Sequence, residues 1–302
     1  MTTGPLASAH GADRSAERAL GRTTYLVTQH VAIGAQTVRY VEGGSLGATR
    51  TLLLFNGIGA SIETAAPFMA AFIRTRVIAF DVPGVGESPA PWLPYRLADV
   101  AQLAADLLDH LGIEHADVFG VSWGGAAAQE FAIRHPARCR TLTLAATSAG
   151  VVMVPGRPGA LLKLLSPRRH LDPGYLLRVG GALYGGILRL ERDLLQLHAS
   201  AMRPPSRRGY LYQLLAVWGW TSWHRLHKVQ APALVLMGSD DPIVPPINGR
   251  ILAARLRRAT LESVACGHLF VLTRPGETAR RVERFIAEHG APRSAPSTRR
   301  TP

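Results

Sequence analysis

Ala116-Asp117-Val118-Phe119-Gly120-Val121-Ser122-Trp123-Gly124-Gly125-Ala126-Ala127-Ala128-Gln129-Glu130 changes character at a single serine. Before it, Ala116 to Val121 is a compact apolar run, too short for a helix and too apolar to alternate. A strand buried on both faces of a parallel sheet reads this way. After it, Gly124 to about Arg134 is rich in helix formers and stops before Pro136. Ser122 therefore sits on a strand-to-helix turn, flanked by Gly120 and Gly124 in a G-x-S-x-G pattern. Side chains at those flanks would collide with the neighbouring strand and helix.

The same alternation extends both ways. Thr51 to Asn56 and Val77 to Asp81 are short apolar runs ending in glycine-rich loops, and Leu97 to Leu111 carries apolar residues at helical spacing up to Gly112. Thr141 to Ala146 is the next strand, with Ala233 to Met237, Asn248 to Arg257, Thr260 to Val264 and Thr278 to His289 continuing as strand, helix, strand and helix. A hairpin turning near Gly34 precedes them all. The pattern predicts an α/β fold with a mostly parallel, doubly wound sheet. From Ser148 to about Val229 the rhythm breaks, and Pro155, Pro158, Pro167, Pro173, Pro204 and Pro205 cut the chain into short leucine-rich helical pieces. We read 23–148 and 229–290 as the core and 149–228 as a helical cap inserted after the sixth strand. The ends, 1–22 and 291–302, read as disordered.

Composition narrows the class. With 302 residues, 47% of them apolar and 18% charged, the chain can bury a full core without a disulfide scaffold or a metal. Cys139 and Cys266 lack the spacing of a zinc or redox motif. No apolar run is long enough for a membrane span, and no signal peptide is visible, so a cytoplasmic location is expected. The net charge of +13 raises nucleic-acid binding, but no recognition motif accompanies it. Much of the excess sits between Gly150 and Lys228, where twelve Lys or Arg face three Asp or Glu.

Thirty glycines make a chance G-x-S-x-G a real risk, about 0.15 matches by composition. Gly43-Gly44-Ser45-Leu46-Gly47 is such a match, yet it follows a hairpin and precedes a strand, so it cannot form the strand-to-helix turn. Ser122 can. A serine hydroxyl attacks only when a base removes its proton and an acid orients the base. On this type of fold the order is serine, acid, histidine, with the acid and the histidine on late loops. Asp240 and Asp241 follow the strand at Ala233, and Asp241, before Pro-Ile-Val-Pro, is favoured as the acid. Among eleven histidines, only His268 lies between the last strand and the last helix. His170, His224 and His227 read as surface or packed residues of the insertion. Backbone N–H donors for the charge that builds on the carbonyl oxygen are expected at Trp123 and, in the Asn56-Gly57-Ile58-Gly59 loop, at Ile58. That loop lacks a nucleotide-binding signature. Trp218, Trp220 and Trp223, with Tyr210 and Tyr212, read either as the core of the cap or as a surface that adsorbs to an apolar substrate.

These motifs, with Val152-Met153-Val154-Pro155-Gly156, Ser166-Pro167-Arg168-Arg169, Gly219-Trp220-Thr221-Ser222 and Gly267-His268-Leu269-Phe270, resemble the intracellular poly(3-hydroxyalkanoate) depolymerases acting on medium-chain polyester, members of the α/β-hydrolase superfamily. The likeness runs from about Val31 to Ile286. It implies Ser122 as nucleophile, Asp241 as acid and His268 as base, hydrolysing a hydrophobic polyester granule or a related ester with no metal and no cofactor. Asn56, Trp218, Trp220 and Leu269 are the candidate substrate-binding residues. Rival readings are a carboxylesterase, perhydrolase or C–C bond hydrolase of the same fold, and a non-catalytic granule-binding protein. Oligomeric state is left open, and no nucleic-acid partner is expected.

Overall fold

A computed structural model of the chain describes residues 28–166 and 168–289. The expected disordered ends, 1–22 and 291–302, lie outside them. Eight strands form one sheet: β1 (Thr28–Ile33), β2 (Gln36–Gly44), β3 (Thr51–Phe55), β4 (Arg76–Phe80), β5 (Ala116–Val121), β6 (Cys139–Ala145), β7 (Ala233–Gly238) and β8 (Ala259–Val264). Their order is β1-β2-β4-β3-β5-β6-β7-β8, antiparallel where β2 meets β1 and β4 and parallel elsewhere. The α/β reading of the sequence holds, strand for strand, within two residues at the ends.

The apolar runs are explained by burial on both faces. Leu53 and Phe55 of β3 point into one layer, which holds α2 (Leu97–His110) and α3 (Trp123–Arg134). Leu52 and Leu54 point into the other, which holds α1 (Ile62–Ala70), the short α10 (Phe270–Thr273) and α11 (Pro275–His289). Helix α9 (Ile247–Arg255) packs on β7 and β8. Helix α1 has no counterpart in the sequence reading. It is short, it contains Pro67, and its first N–H is held by the Asp81 carboxylate at 2.9 Å, a partner from a distant loop.

Between β6 and β7 lies the helical cap: α4 (Pro158–Leu165), α5 (Arg168–Leu171), α6 (Pro173–Tyr184), α7 (Arg192–Ala201) and α8 (Arg207–Val217). Two of the prolines that break the sequence rhythm open helices instead of interrupting them. Pro158 and Pro173 stand in first turns, where a missing N–H costs nothing, and Asp172 caps α6 by accepting from the Tyr175 N–H at 2.9 Å. The parallel strands all end on the side where the cap sits. The order also reverses between β3 and β5, the place where such sheets leave a crevice at their carboxyl ends.

Candidate active site

Four loops meet at that crevice. Ser122 closes β5 and opens α3 with φ 54° and ψ −119°, a backbone conformation rare for a residue with a side chain. The two glycines around it make the turn possible. A Cβ on Gly120 would stand 2.4 Å from the Gly124 carbonyl oxygen, and one on Gly124 would stand 2.2 Å from that of Phe55. Helix α3 is thereby pressed against the end of β3. The Ser122 N–H bonds the Ala145 carbonyl at 2.9 Å, tying the turn to β6.

His268 follows β8 and Asp241 follows β7. His268 Nε2 is 3.0 Å from Ser122 Oγ, and Nδ1 is 2.7 Å from Asp241 Oδ2. Both side chains are buried. The other Asp241 oxygen accepts from the N–H groups of Ile243 and Val244 at 2.8 and 2.9 Å, so the turn that carries the carboxylate also aims it. Asp240 faces away, toward Arg189 of the cap and the Gly186 N–H. The adjacent aspartates are thus divided between the imidazole and the cap. The His268 N–H bonds the Tyr184 carbonyl at 2.7 Å, which fixes the histidine loop against the end of α6.

The Asn56-Gly57-Ile58-Gly59 loop covers the serine from the β3 side. The Asn56 amide is spent on the loop itself, donating to the Ser61 carbonyl and Thr64 Oγ1 and accepting from the Gly57 N–H. Neither the Ile58 N–H nor the Trp123 N–H has an acceptor among the described residues. The cap holds this region through Gln213 of α8. Gln213 Oε1 accepts from the Gly59 N–H, and its backbone carbonyl accepts from Trp123 Nε1, each at 2.8 Å.

The cavity at Ser122 is lined by apolar side chains, among them Leu54, Phe68, Val121, Leu164, Met202 and Leu269. Asn56 and Ile58 also face it, whereas Trp218 and Trp220 do not. Trp220 turns its indole N–H to the buried Glu130 carboxylate at 2.8 Å, Trp223 stacks under Arg255, and Tyr212 donates to the Trp92 carbonyl. These rings are packing residues of the cap and its junction with the core. Only Trp218 of the tryptophan trio is open, at 86% exposure. Two features escaped the sequence reading. Gln213 is an isolated amide whose partner lies 154 residues away. Arg169, His170 and His198 form a buried polar group in the cavity wall that only the folded cap assembles.

Residues 50–275 match the model of a family described as the alpha/beta hydrolase fold. The chain belongs to the α/β-hydrolase family. Within it, the poly(3-hydroxyalkanoate) depolymerase of Ectopseudomonas oleovorans is 49% identical over 238 residues, covering 78% of this chain and 84% of that protein. The 3-oxoadipate enol-lactonase 2 of Acinetobacter baylyi is 26% identical over 76% of this chain and 85% of its own. Among solved structures, the enol-lactonase of Burkholderia xenovorans LB400 superposes with a TM-score of 0.75 at 24% identity, over 86% of this chain and 100% of that one. That likeness carries the α/β-hydrolase architecture. The resemblance to poly(3-hydroxyalkanoate) depolymerases noted from the motifs is therefore borne out across most of the chain.

Proposed function

We propose that this α/β-hydrolase cleaves ester bonds of a poly(3-hydroxyalkanoate) through Ser122, His268 and Asp241. The observation that carries the reading is the continuous relay from Asp241 through His268 to Ser122 at the floor of an apolar cavity. His268 Nε2 takes the Ser122 proton as Oγ adds to the ester carbonyl, and Asp241 keeps Nδ1 as the donor-bearing nitrogen. The N–H groups of Ile58 and Trp123 meet the oxyanion, each worth roughly 3 to 4 kcal/mol in the transition state. His268 then returns the proton to the departing alcohol oxygen. Water, deprotonated by the same imidazole, releases the hydroxyacyl group and restores Ser122.

The relative's 49% identity supports a polyester substrate. Eleven of the seventeen exposed large hydrophobic side chains among the described residues lie between 149 and 228, a distribution that suits adsorption to a hydrophobic granule. No helix among the described residues is long and apolar enough to cross a membrane. In this reading the protein meets a cytoplasmic granule through that exposed surface. In this reading the core comprises 23–148 and 229–290 and the cap 149–228. Pairing of Gly150 with Thr221 near the two ends of the insertion supports that division.

Emulsified medium-chain polyester and p-nitrophenyl octanoate offered side by side test the function. Release of 3-hydroxy acids by the wild type, and loss of both activities in a folded Ser122→Ala, are expected. Activity on the monomeric ester alone would reassign the enzyme to a small-molecule esterase. Full activity of Ser122→Ala would remove the mechanism.

A further inference from the structure

Among the described residues, the cavity wall contains a cation without a counterion. Arg169, on α5, is 5% exposed and forms no ion pair among the described residues. Its guanidinium donates only to neutral oxygens: Tyr184 Oη at 3.2 Å, the Ile58 carbonyl at 3.2 Å and, more weakly, Tyr210 Oη at 3.5 Å. Among the described residues, Arg169 Nε has no acceptor, and neither ring nitrogen of His170 nor His198 Nδ1 has a hydrogen-bond partner. Arg169, His170 and His198 all line the cavity that holds Ser122 and His268. Burial, reinforced by the Arg169 charge, pushes both imidazoles down, His198 to about 4, so at neutral pH they are uncharged N–H donors beside a cation. A buried charge surrounded by neutral groups is costly unless an anion completes the site.

We propose that Arg169 receives the free carboxylate at the end of a 3-hydroxyacyl chain, so that the enzyme removes units from the carboxyl terminus. This rests on the ester-hydrolase reading above and extends it to the mode of attack. The position suits the chemistry. Arg169 grips the carbonyl of Ile58, and the N–H of the same residue is the proposed oxyanion donor, so guanidinium and oxyanion flank a single residue and lie within about 10 Å of each other. In a polyester of 3-hydroxy acids, the terminal carboxylate carbon is four bonds from the scissile carbonyl carbon, about 5 Å. A planar guanidinium matches a carboxylate, whereas an ester carbonyl farther along the chain offers it no charge.

The step balances without a co-reactant. The acyl C–O bond breaks, the terminal 3-hydroxy acid leaves with the proton from His268, and water adds its hydroxyl to the acyl carbon. The shortened chain then ends in a new carboxylate, the same group the subsite recognises.

The dimer of 3-hydroxyoctanoate, supplied as the free acid and as its methyl ester, tests this at neutral pH. The wild type is expected to favour the acid in kcat/KM by at least tenfold, and Arg169→Gln to bring that ratio close to one whatever its overall activity. Because the ratio is taken within each protein, partial misfolding of the variant does not imitate the result. Equal rates on acid and ester by the wild type, or an unchanged ratio in Arg169→Gln, overturn the subsite. Wild-type turnover of p-nitrophenyl octanoate separates the two readings: if it persists while acid and ester are not distinguished, only the carboxylate subsite fails.

Discussion

Ser122 occupies a backbone conformation that costs of order 1 to 3 kcal/mol for a residue with a side chain, and the surrounding contacts hold it there. Gly124 is the most exacting of these, because the atom a Cβ would meet is a backbone oxygen that no rotamer change can move. Gly124→Ala is expected to lower stability by about 3 kcal/mol or more, read from the urea midpoint, with loss of esterase activity in whatever remains folded. The two neighbouring aspartates make a sharper comparison. Asp241→Asn should lower kcat on p-nitrophenyl octanoate by about three to four orders of magnitude, since the imidazole loses the acceptor that fixes its tautomer. Asp240→Asn breaks a partly exposed pair with Arg189 and should leave kcat within about twofold.

At the scale of elements, the cap also holds the floor of the proposed active site in place. The peptide linking Ile58 and Gly59 is gripped at both ends from the cap, its carbonyl by Arg169 on α5 and its N–H by Gln213 on α8. Helix α8 also takes the Trp123 indole, so one helix positions both residues proposed to stabilise the oxyanion. Gln213→Leu leaves the Gly59 N–H buried without an acceptor. It should reduce kcat by about tenfold to a hundredfold with KM little changed, measured on a soluble ester. The indole bond goes to the Gln213 backbone and survives the substitution. Helix α1 illustrates the same dependence on distant partners, its first N–H held by Asp81 and its neighbour Glu63 paired with Arg39.

Across the whole molecule, the basic excess of the cap is partly internal. Arg189, Arg203 and Arg225 bridge to Asp240, Glu63, Glu87 and Glu130 of the core, and Arg169 is buried. Glu130 is the hub, accepting from Arg225, Trp220 and Arg134. Burial alone would raise its carboxyl, but donation from Arg225 and Trp220 outweighs that and holds it below the ordinary 4.5. A carboxyl lowered by folding stabilises the native state fully above its unfolded value, and the benefit is lost as pH falls through the folded one. The wild type should therefore lose Tm on acidification below about pH 4.5, and Glu130→Gln should show a lower Tm at neutral pH with a shallower acid slope. The neutral-pH loss is expected near 2 kcal/mol, because its arginine partners are partly exposed. At the outer face, Trp218 and Leu190 are 86% and 83% exposed. Replacing both with serine should reduce the fraction that sediments with polyester granules several-fold.

The parallel sheet, the turn at Ser122 and the loops bearing Asp241 and His268 were legible from sequence because strand periodicity and the glycines at a strained turn are local constraints. Each depends on residues within a few positions. The bonds from the N–H groups of Ile243 and Val244 are the physical reason that Asp241, before Pro-Ile-Val-Pro, and not Asp240 meets the imidazole. The tertiary structure alone decided what the cap does. It packed the half-buried Trp220 against Glu130, set Gln213 against Gly59 across 154 residues, and left Arg169 facing the cavity without a carboxylate among the described residues. Such contacts join elements far apart in the chain, and hydrophobic spacing carries no information about which polar side chain will find which partner once the helices pack.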